Sequence, residues 1–439
     1  MNTEDIRKIR LNADQERAKD QMHDFARRKD QLFFRLDGAA GTGKSTTAAL
    51  WAQEALAEGM KIALAAPTNK ATRNLRSFKN RIDEKANIPT GTIYSLLGLV
   101  LGKEGEIREI ETTDTHKMDG VEVVIVDEWS MISENLMHHI RQHALEHSRK
   151  FIFMGDPYQL PPVKEEMSAV ERLHCNAFLT KVERHDNQIL SFATYLRGYI
   201  ETNTLPQFKG DNDAEGGVFL LNSPQFYRQI KGAFSSEAYQ EYPDAFKTMA
   251  WRNKMVDEYN DSIRVAMYGE DPAEPFEIGE RIVAKAPVLD VIEFKTSGIE
   301  MFIATTDEEG TVRSCLKQPH PVFGEVEVYA VVFENELGEA VCGYMPSRRG
   351  MATYKAMKNQ LYTDAKQNGR QWSRFWQFIG MFADLAPCHS LTVHRGQGST
   401  YRTAFVDVND IMANRTREEM LRMLYTASTR PSKSLVLKV

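Results

Sequence analysis

Cysteine is scarce in this sequence. Four residues, Cys175, Cys315, Cys342 and Cys388, are scattered along 439 positions with no Cys-x-x-Cys pair. That pattern excludes a disulfide framework and a cysteine-built zinc site, and it suits a reducing compartment. No apolar run reaches the ~18 residues a transmembrane helix needs. The start, Met1-Asn2-Thr3-Glu4-Asp5-Ile6-Arg7, lacks the apolar core of a signal peptide. The expectation is a cytoplasmic chain without membrane partners. An excess of positive charge is also missing, since Lys and Arg total 55 against 61 Asp and Glu, a net of -6. General attraction to polyanions is thereby excluded, although a locally basic groove is not, because steering depends on how charge is distributed. Low-complexity tracts and internal repeats are absent. Aromatic residues make up 10% of the chain, yet none falls between positions 97 and 116.

What is present is enough apolar sequence, 42% of residues, for about three domains. It also contains Gly38-Ala39-Ala40-Gly41-Thr42-Gly43-Lys44-Ser45. This octet fits G-x-x-x-x-G-K-[ST], the phosphate-binding loop of P-loop NTPases. Leu32-Phe33-Phe34-Arg35-Leu36 before it reads as a buried strand, and residues 45–57 after it as a helix ending at Gly59. Glycines let backbone N–H groups close around phosphate, and the helix dipole adds positive potential. Lys44 is placed to reach the β- and γ-phosphates and Ser45 to ligate Mg²⁺, which makes this an expected ATP site.

Residues 1–30 read as a polar helix in which Gln15 is, by pattern alone, a solvated position. Lys61-Ile62-Ala63-Leu64-Ala65-Ala66 is a second buried strand, running into Pro67-Thr68. Beyond Thr92-Ile93-Tyr94-Ser95, residues 98–115 carry Gly98, Gly102, Gly105, Ile107 and Ile110 and suggest an exposed hairpin. Residues 121–126 form a β-branched run ending in Asp127-Glu128, a Walker B pattern. There Asp127 would hold Mg²⁺, and Glu128 would orient and deprotonate the attacking water. Lys150-Phe151-Ile152-Phe153-Met154 ends in Gly155-Asp156-Pro157-Tyr158-Gln159. Taken alone this is a proline-stiffened turn; the other reading gives Gln159 a hydrogen bond to the γ-phosphate. From about residue 181 the pattern begins again, with a strand at 248–253 and short alternating strands across 280–345 that suggest a small β barrel. Residues 351–384 are helical, and Trp372, Phe375, Trp376 and Phe378 read as core. Strands at 403–408 and 434–439 flank a helix around 417–426.

In this order the pieces resemble the superfamily 1 helicases, and most of all the Dda-type phage helicases of the RecD-like group. The resemblance rests on Gln15; residues 38–45; Ala66-Pro67-Thr68; Asp127-Glu128; Gly155-Asp156 with Gln159-Leu160-Pro161; Arg184; Thr392-Val393-His394-Arg395-Gly396-Gln397-Gly398-Ser399; and Leu424-Tyr425-Thr426-Ala427-Ser428-Thr429-Arg430. The last two segments are specific to that superfamily. Arg395-Gly396, Pro431 and Trp129 depart from the usual residues without removing a catalytic group.

The resemblance implies an α/β fold with two RecA-like domains, residues 1–90 with 116–180 and residues 181–280 with 385–439. It implies a pin hairpin within 91–115 and an SH3-like barrel with helices over 281–384. ATP and Mg²⁺ are the implied cofactors. Lys44, Glu128, Gln159, Arg184 and Arg430 would be catalytic, with the two arginines reaching across the cleft. Gln15 would read adenine, and Gly38, Gly41, Thr42, Gly43, Ser45, Thr46 and Gly398 would complete the nucleotide site. Single-stranded DNA would touch Pro67, Thr68, Asn69, Thr92, Tyr94, Ser95, Ile107, Ile110, Trp251, Asn253, Thr392, His394 and Gln397. The implied chain is a monomeric 5′–3′ translocase acting at duplex junctions, with a single-stranded-DNA-binding protein or replisome components as partners, in the host-cell cytoplasm if phage-encoded. A poorly unwinding, protein-displacing translocase is the alternative. A P-loop nucleotide kinase or a non-enzymatic scaffold would need neither the separated arginines nor the full catalytic set.

Overall fold

Strand β1 (Phe33–Gly38) is buried along all but its first residue, as a strand covered on both faces must be. The computed structural model describes residues 9–101, 107–109, 118–183, 188–270, 272–298 and 300–439. Around β1 lie β2 (Ile62–Ala66), β3 (Thr90–Thr92), β6 (Val123–Val126), β7 (Lys150–Gly155) and β8 (Ala177–Leu179). They form one sheet in the order β3-β2-β6-β7-β1-β8, parallel throughout. The helices Ala13–Arg27 and Lys44–Ala57 cover one face through Met22, Phe25, Trp51 and Ala52. Helix Glu134–Glu146 covers the other, where Leu136 and Ile140 meet Phe151 and Phe153. Between β3 and β6, β4 (Leu99–Leu101) pairs antiparallel with β5 (Ile107–Glu109).

Strands β9 (Asp211–Asn212), β10 (Gly217–Leu221) and β11 (Phe246–Ala250) begin a second sheet. The chain then leaves it for β12 (Arg281–Ala284), β13 (Val288–Leu289), β14 (Phe302–Ala304), β15 (Glu309–Pro319), β16 (Glu327–Asn335), β17 (Ala340–Pro346) and β18 (Leu385–Pro387). It returns with β19 (Ser390–Thr392), β20 (Tyr401–Asp407) and β21 (Pro431–Lys438). The second sheet runs β19-β11-β20-β21-β10-β9, parallel except for the β9–β10 pair. Its first five positions match β3-β2-β6-β7-β1 of the first sheet one for one. The two halves therefore repeat a fold that the sequence does not repeat.

The excursion is a separate antiparallel unit. Its ladders run β17-β16-β15-β12-β18, with β13–β14 as a small hairpin, and no ladder joins β17 to β18 among the described residues. Because β18 pairs with β12, residues 385–387 lie in this unit and not in the second sheet. Helices Met351–Gln367 and Trp372–Gly380 pack on it. Phe375 and Phe378 are buried in its core, with Trp372 and Trp376 at the margin, as expected from the sequence.

Three bodies meet at Glu309, the first residue of β15. Its Oε1 is 2.7 Å from Lys70 Nζ of the first half and 3.7 Å from Lys247 Nζ of β11, and its Oε2 is 3.3 Å from Arg281. Glu309, Lys70 and Lys247 are buried, and the surrounding cations hold the Glu309 carboxyl well below the ordinary carboxylate range against the opposing effect of burial.

Candidate nucleotide cleft between the parallel sheets

The glycine loop follows β1 and caps helix Lys44–Ala57, with Gly43 at the N-cap in the left-handed region at φ 89° and Gly41 at φ 80°. A side chain at Gly43 would collide with Gln15, whose Nε2 would lie 2.3 Å from the added Cβ. Gln15 is accordingly buried, which corrects the solvated position read from pattern. Its Nε2 donates to Thr42 O at 3.0 Å and its Oε1 accepts from Asn12 N at 3.0 Å, so one amide ties the N-cap of the first helix to the phosphate loop. Thr42 is buried, donating to Ala39 O, and leaves no room for a Cβ at Gly38. Lys44 Nζ lies inside the loop, 2.6 Å from Gly38 O and 3.1 Å from Ala39 O. Ser45 and Thr46 form the first turn of the helix, half-buried beside it.

Asp127 and Glu128 stand at the end of β6. Glu128 adopts φ 55°, a left-handed conformation costly for a side-chain-bearing residue and concentrated at active sites. Burial and the adjacent Glu128 push the Asp127 carboxyl well above the ordinary range, against the pull of Lys44 and Arg430. Trp129, unusual at this position, has a structural role. Its Nε1 donates to Asp37 Oδ1 at 3.1 Å, and Arg35 lies 4.9 Å over its ring while pairing with Asp37 at 2.6 Å. A Cβ at Gly155 would lie 2.7 Å from Trp129 Cδ1, so the indole and that glycine fit only each other.

The second half closes on this face. Arg430, buried and bonded to Thr426 O and Thr429 Oγ1, brings Nη1 to 3.9 Å from Glu128 Oε1. Gln397 donates to Ser130 Oγ at 2.9 Å and Leu160 O at 3.2 Å. Helix Arg417–Ser428 clasps the turn after β7: Arg422 donates to Pro157 O and Gln159 O, Leu160 N donates to Thr426 Oγ1, and Tyr425 donates to Asp156 Oδ2 at 2.6 Å. Gln159 is buried in this clasp, not in a free turn, and its Oε1 has no hydrogen-bond partner among the described residues. Gly398, at φ 76°, touches Ala71 and not the phosphate loop, and its carbonyl accepts from Asn74. Among the described residues, no cluster of three or more His, Cys, Asp or Glu side chains is arranged to hold a metal.

The residues expected to meet a strand fall at matched places in the two halves. Strand β3 ends in Thr92, which caps a four-residue helix by accepting from Ser95 N at 3.0 Å. Strand β19 ends in Thr392, which caps another by accepting from Arg395 N at 3.3 Å. Thr68 after β2 caps helix Asn69–Ile82, and Pro67 is buried behind it. At the matching place after β11, Asn253 is exposed, whereas Trp251 is half-buried against the second core and its N–H is held by Asp410. Asn69 is engaged by the excursion, donating to Thr305 Oγ1 and Thr306 O. His394 lies 3.7 Å from Glu419, and burial holds its imidazole below the usual range. Tyr94 and Ile107 pack on the first core. Arg184, Ile110 and most of the hairpin tip lie outside the described residues. The Arg35–Asp37–Trp129 group and the contacts of Arg422 were not anticipated from sequence.

Residues 10–197 match the AAA domain family, and residues 387–437 match the UvrD-like helicase C-terminal domain. An uncharacterised protein of Acanthamoeba polyphaga mimivirus is 23% identical over 97% of this chain and 99% of its own length. The ATP-dependent RecD2 DNA helicase of Deinococcus radiodurans is 34% identical over 29% of this chain and 16% of its own. The RecBCD enzyme subunit RecD of Buchnera aphidicola is 38% identical over 29% and 23%. The chain thus spans a quarter or less of these two RecD relatives. A Pif1 helicase from Bacteroides, solved with ADP-AlF3 and ssDNA, superposes with TM-score 0.51 at 13% identity, covering 98% of this chain and 93% of that one. Taken together, these matches make the chain similar to superfamily 1 helicases of the Pif1/RecD type. A second Pif1 structure, concerned with unwinding at forked dsDNA, gives TM-score 0.53 at 14% identity over 98% of this chain and 92% of that one. These superpositions span both sheets of this chain. No described helix is long and apolar enough to cross a membrane.

Proposed function

We propose that this chain is an ATP-dependent DNA helicase that translocates 5′ to 3′ along single-stranded DNA and separates duplex at junctions. The observation that carries the reading is Arg430, supplied by the second half, lying 3.9 Å from Glu128 of the first. Hydrolysis then depends on how the two halves meet. Lys44 and the loop N–H groups would hold the phosphates, with Gln15 at the base side. Ser45 and Asp127 fit Mg²⁺, which is ordinarily held by one or two protein oxygens plus substrate phosphates. A divalent cation held there would relieve the Asp127–Glu128 crowding and neutralise charge on the phosphate oxygens. Glu128 would orient the attacking water and accept its proton, and Gln159 would donate an amide N–H to the γ-phosphate. Arg430, with Arg184, would balance charge on the transferring group, an effect of ~10³–10⁵ in turnover in this class of enzyme.

The strand would cross Thr68, Thr92, Thr392 and His394, held by phosphate and stacking contacts without sequence readout. The chain acts as a monomer, and a single-stranded-DNA-binding protein or replisome component is a fitting partner. A second reading, a translocase that displaces proteins and unwinds poorly, is favoured by the lack of aromatics in 97–116 and by Ile107 packing on the body. ATPase with and without single-stranded DNA, then unwinding of duplexes tailed only 5′ or only 3′, tests both. Absence of DNA stimulation overturns the proposal, a preference for 3′ tails overturns the polarity, and stimulation without unwinding selects the second reading.

A further inference from the structure

Tyr425 is the one side chain of the second half with described hydrogen bonds to both the phosphate loop and the turn carrying Gln159. Its hydroxyl accepts from Ala40 N at 3.3 Å and donates to Asp156 Oδ2 at 2.6 Å. The ring is 1% exposed, edge-on to Tyr158 at 6.1 Å. Burial and the Asp156 carboxylate hold the phenol well above its usual range, so it stays a donor at neutral pH. A donor to a carboxylate in a dry setting makes a short, directional bond. The other Asp156 oxygen accepts from Tyr158 N at 3.0 Å and so shapes the turn that presents Gln159. At the other end of the same helix, Glu419 faces His394 of the strand-side motif at 3.7 Å.

We propose that the Tyr425 hydroxyl is a positioning group for hydrolysis: it fixes the phosphate loop, the Gln159 turn and helix Arg417–Ser428 as one unit. Cleft closure for turnover, and its response to a strand bound at His394, then pass through this hydroxyl. Tyr425 itself touches no reacting atom. This rests on the reading of the chain as a DNA-stimulated ATPase.

Tyr425→Phe removes only the oxygen. In the full chain it should leave the KM for ATP and the single-stranded DNA affinity within about twofold, with an unchanged thermal midpoint, while kcat with DNA falls about tenfold or more. Asp156→Asn should give a similar split. The double variant should be no slower than the slower single, because both remove one link. A kcat within twofold of the parent in Tyr425→Phe, or losses that multiply in the double variant, overturns the proposal. A parallel rise in KM and loss of thermal midpoint, showing a merely structural role, does the same. If Tyr425→Phe fails to fold, Asp156→Asn carries the test alone under the same criteria. If the parent ignores DNA, the functional reading fails, and the DNA-free kcat becomes the readout: a tenfold loss sustains the role of the hydroxyl and an unchanged rate overturns it.

Discussion

Arg430 Nη1 and Glu128 Oε1, brought together from opposite sheets, stand 3.9 Å apart across the cleft. The guanidinium is held by Thr426 O and Thr429 Oγ1, so its reach depends on the end of helix Arg417–Ser428 and not on a free side chain. Arg430→Ala should lower kcat by about 10³-fold or more with a much smaller change in nucleotide affinity, and Arg184→Ala should follow. Steady-state kinetics with a nucleotide-binding titration decide it. A pure affinity loss at unchanged kcat would make these arginines ground-state contacts.

Lys44→Ala should abolish hydrolysis while single-strand binding survives, because the groove at Thr68, Thr92 and Thr392 is built from other residues. DNA-stimulated turnover above a tenth of the parent rate contradicts the loop assignment. Glu128→Gln keeps shape and loses the base. It should bind nucleotide and turn over slowly, and normal turnover would move the base elsewhere.

Ile107 packs against the first core, and Ile110 lies outside the described residues. Replacing residues 102–112 with a short Gly/Ser turn should keep DNA-stimulated ATPase within about threefold, since no catalytic motif falls inside them, and nearly eliminate strand separation. A fork assay that shows full unwinding removes the hairpin from the mechanism.

His320 predicts a pH dependence of stability. Its Nδ1 accepts from Val322 N at 3.2 Å and Phe323 N at 3.1 Å, and the ring stacks on Phe382 with centroids 4.5 Å apart. Burial lowers its pKa from the ordinary 6.5 to about 4, against the hydrogen bond to Met381 O. The unfolded chain therefore binds the proton first, and the stability held above pH ~6.5 is lost as pH falls toward 4. His320→Phe should be less stable at neutral pH yet show a shallower fall in thermal midpoint between pH 6.5 and 4.5. An equal slope would assign the acid sensitivity to other groups.

The phosphate loop, the Walker B acids and the paired α/β halves were legible because backbone geometry dictates their residues: glycines where φ is positive, β-branched runs where both faces are covered. Side chains that act through distant partners were not. Gln15 reads as a solvated helix position until Gly43 is seen against it, and Trp129 is merely an oddity until Asp37 and Gly155 define its slot. The one-for-one match of strand order between the two sheets was hidden, since the order is kept while the sequences are not. Residue types also did not reveal that Asn69 is held by Thr305 and Thr306, because the excursion that supplies them lies over two hundred positions away in the chain.

Glu309 gives the molecule a shared anchor. Lys70 belongs to one half, Lys247 to the other and Arg281 to the excursion, and all three lean on a single carboxylate sealed from water. Arg281 also pairs with Glu336 and Lys247 also donates to Cys388 O, but Glu309 is the carboxylate that all three share, and removing a cation from a buried carboxylate is costly. The excursion is thereby a third party to the junction of the two halves, because the carboxylate that both of them touch is its own.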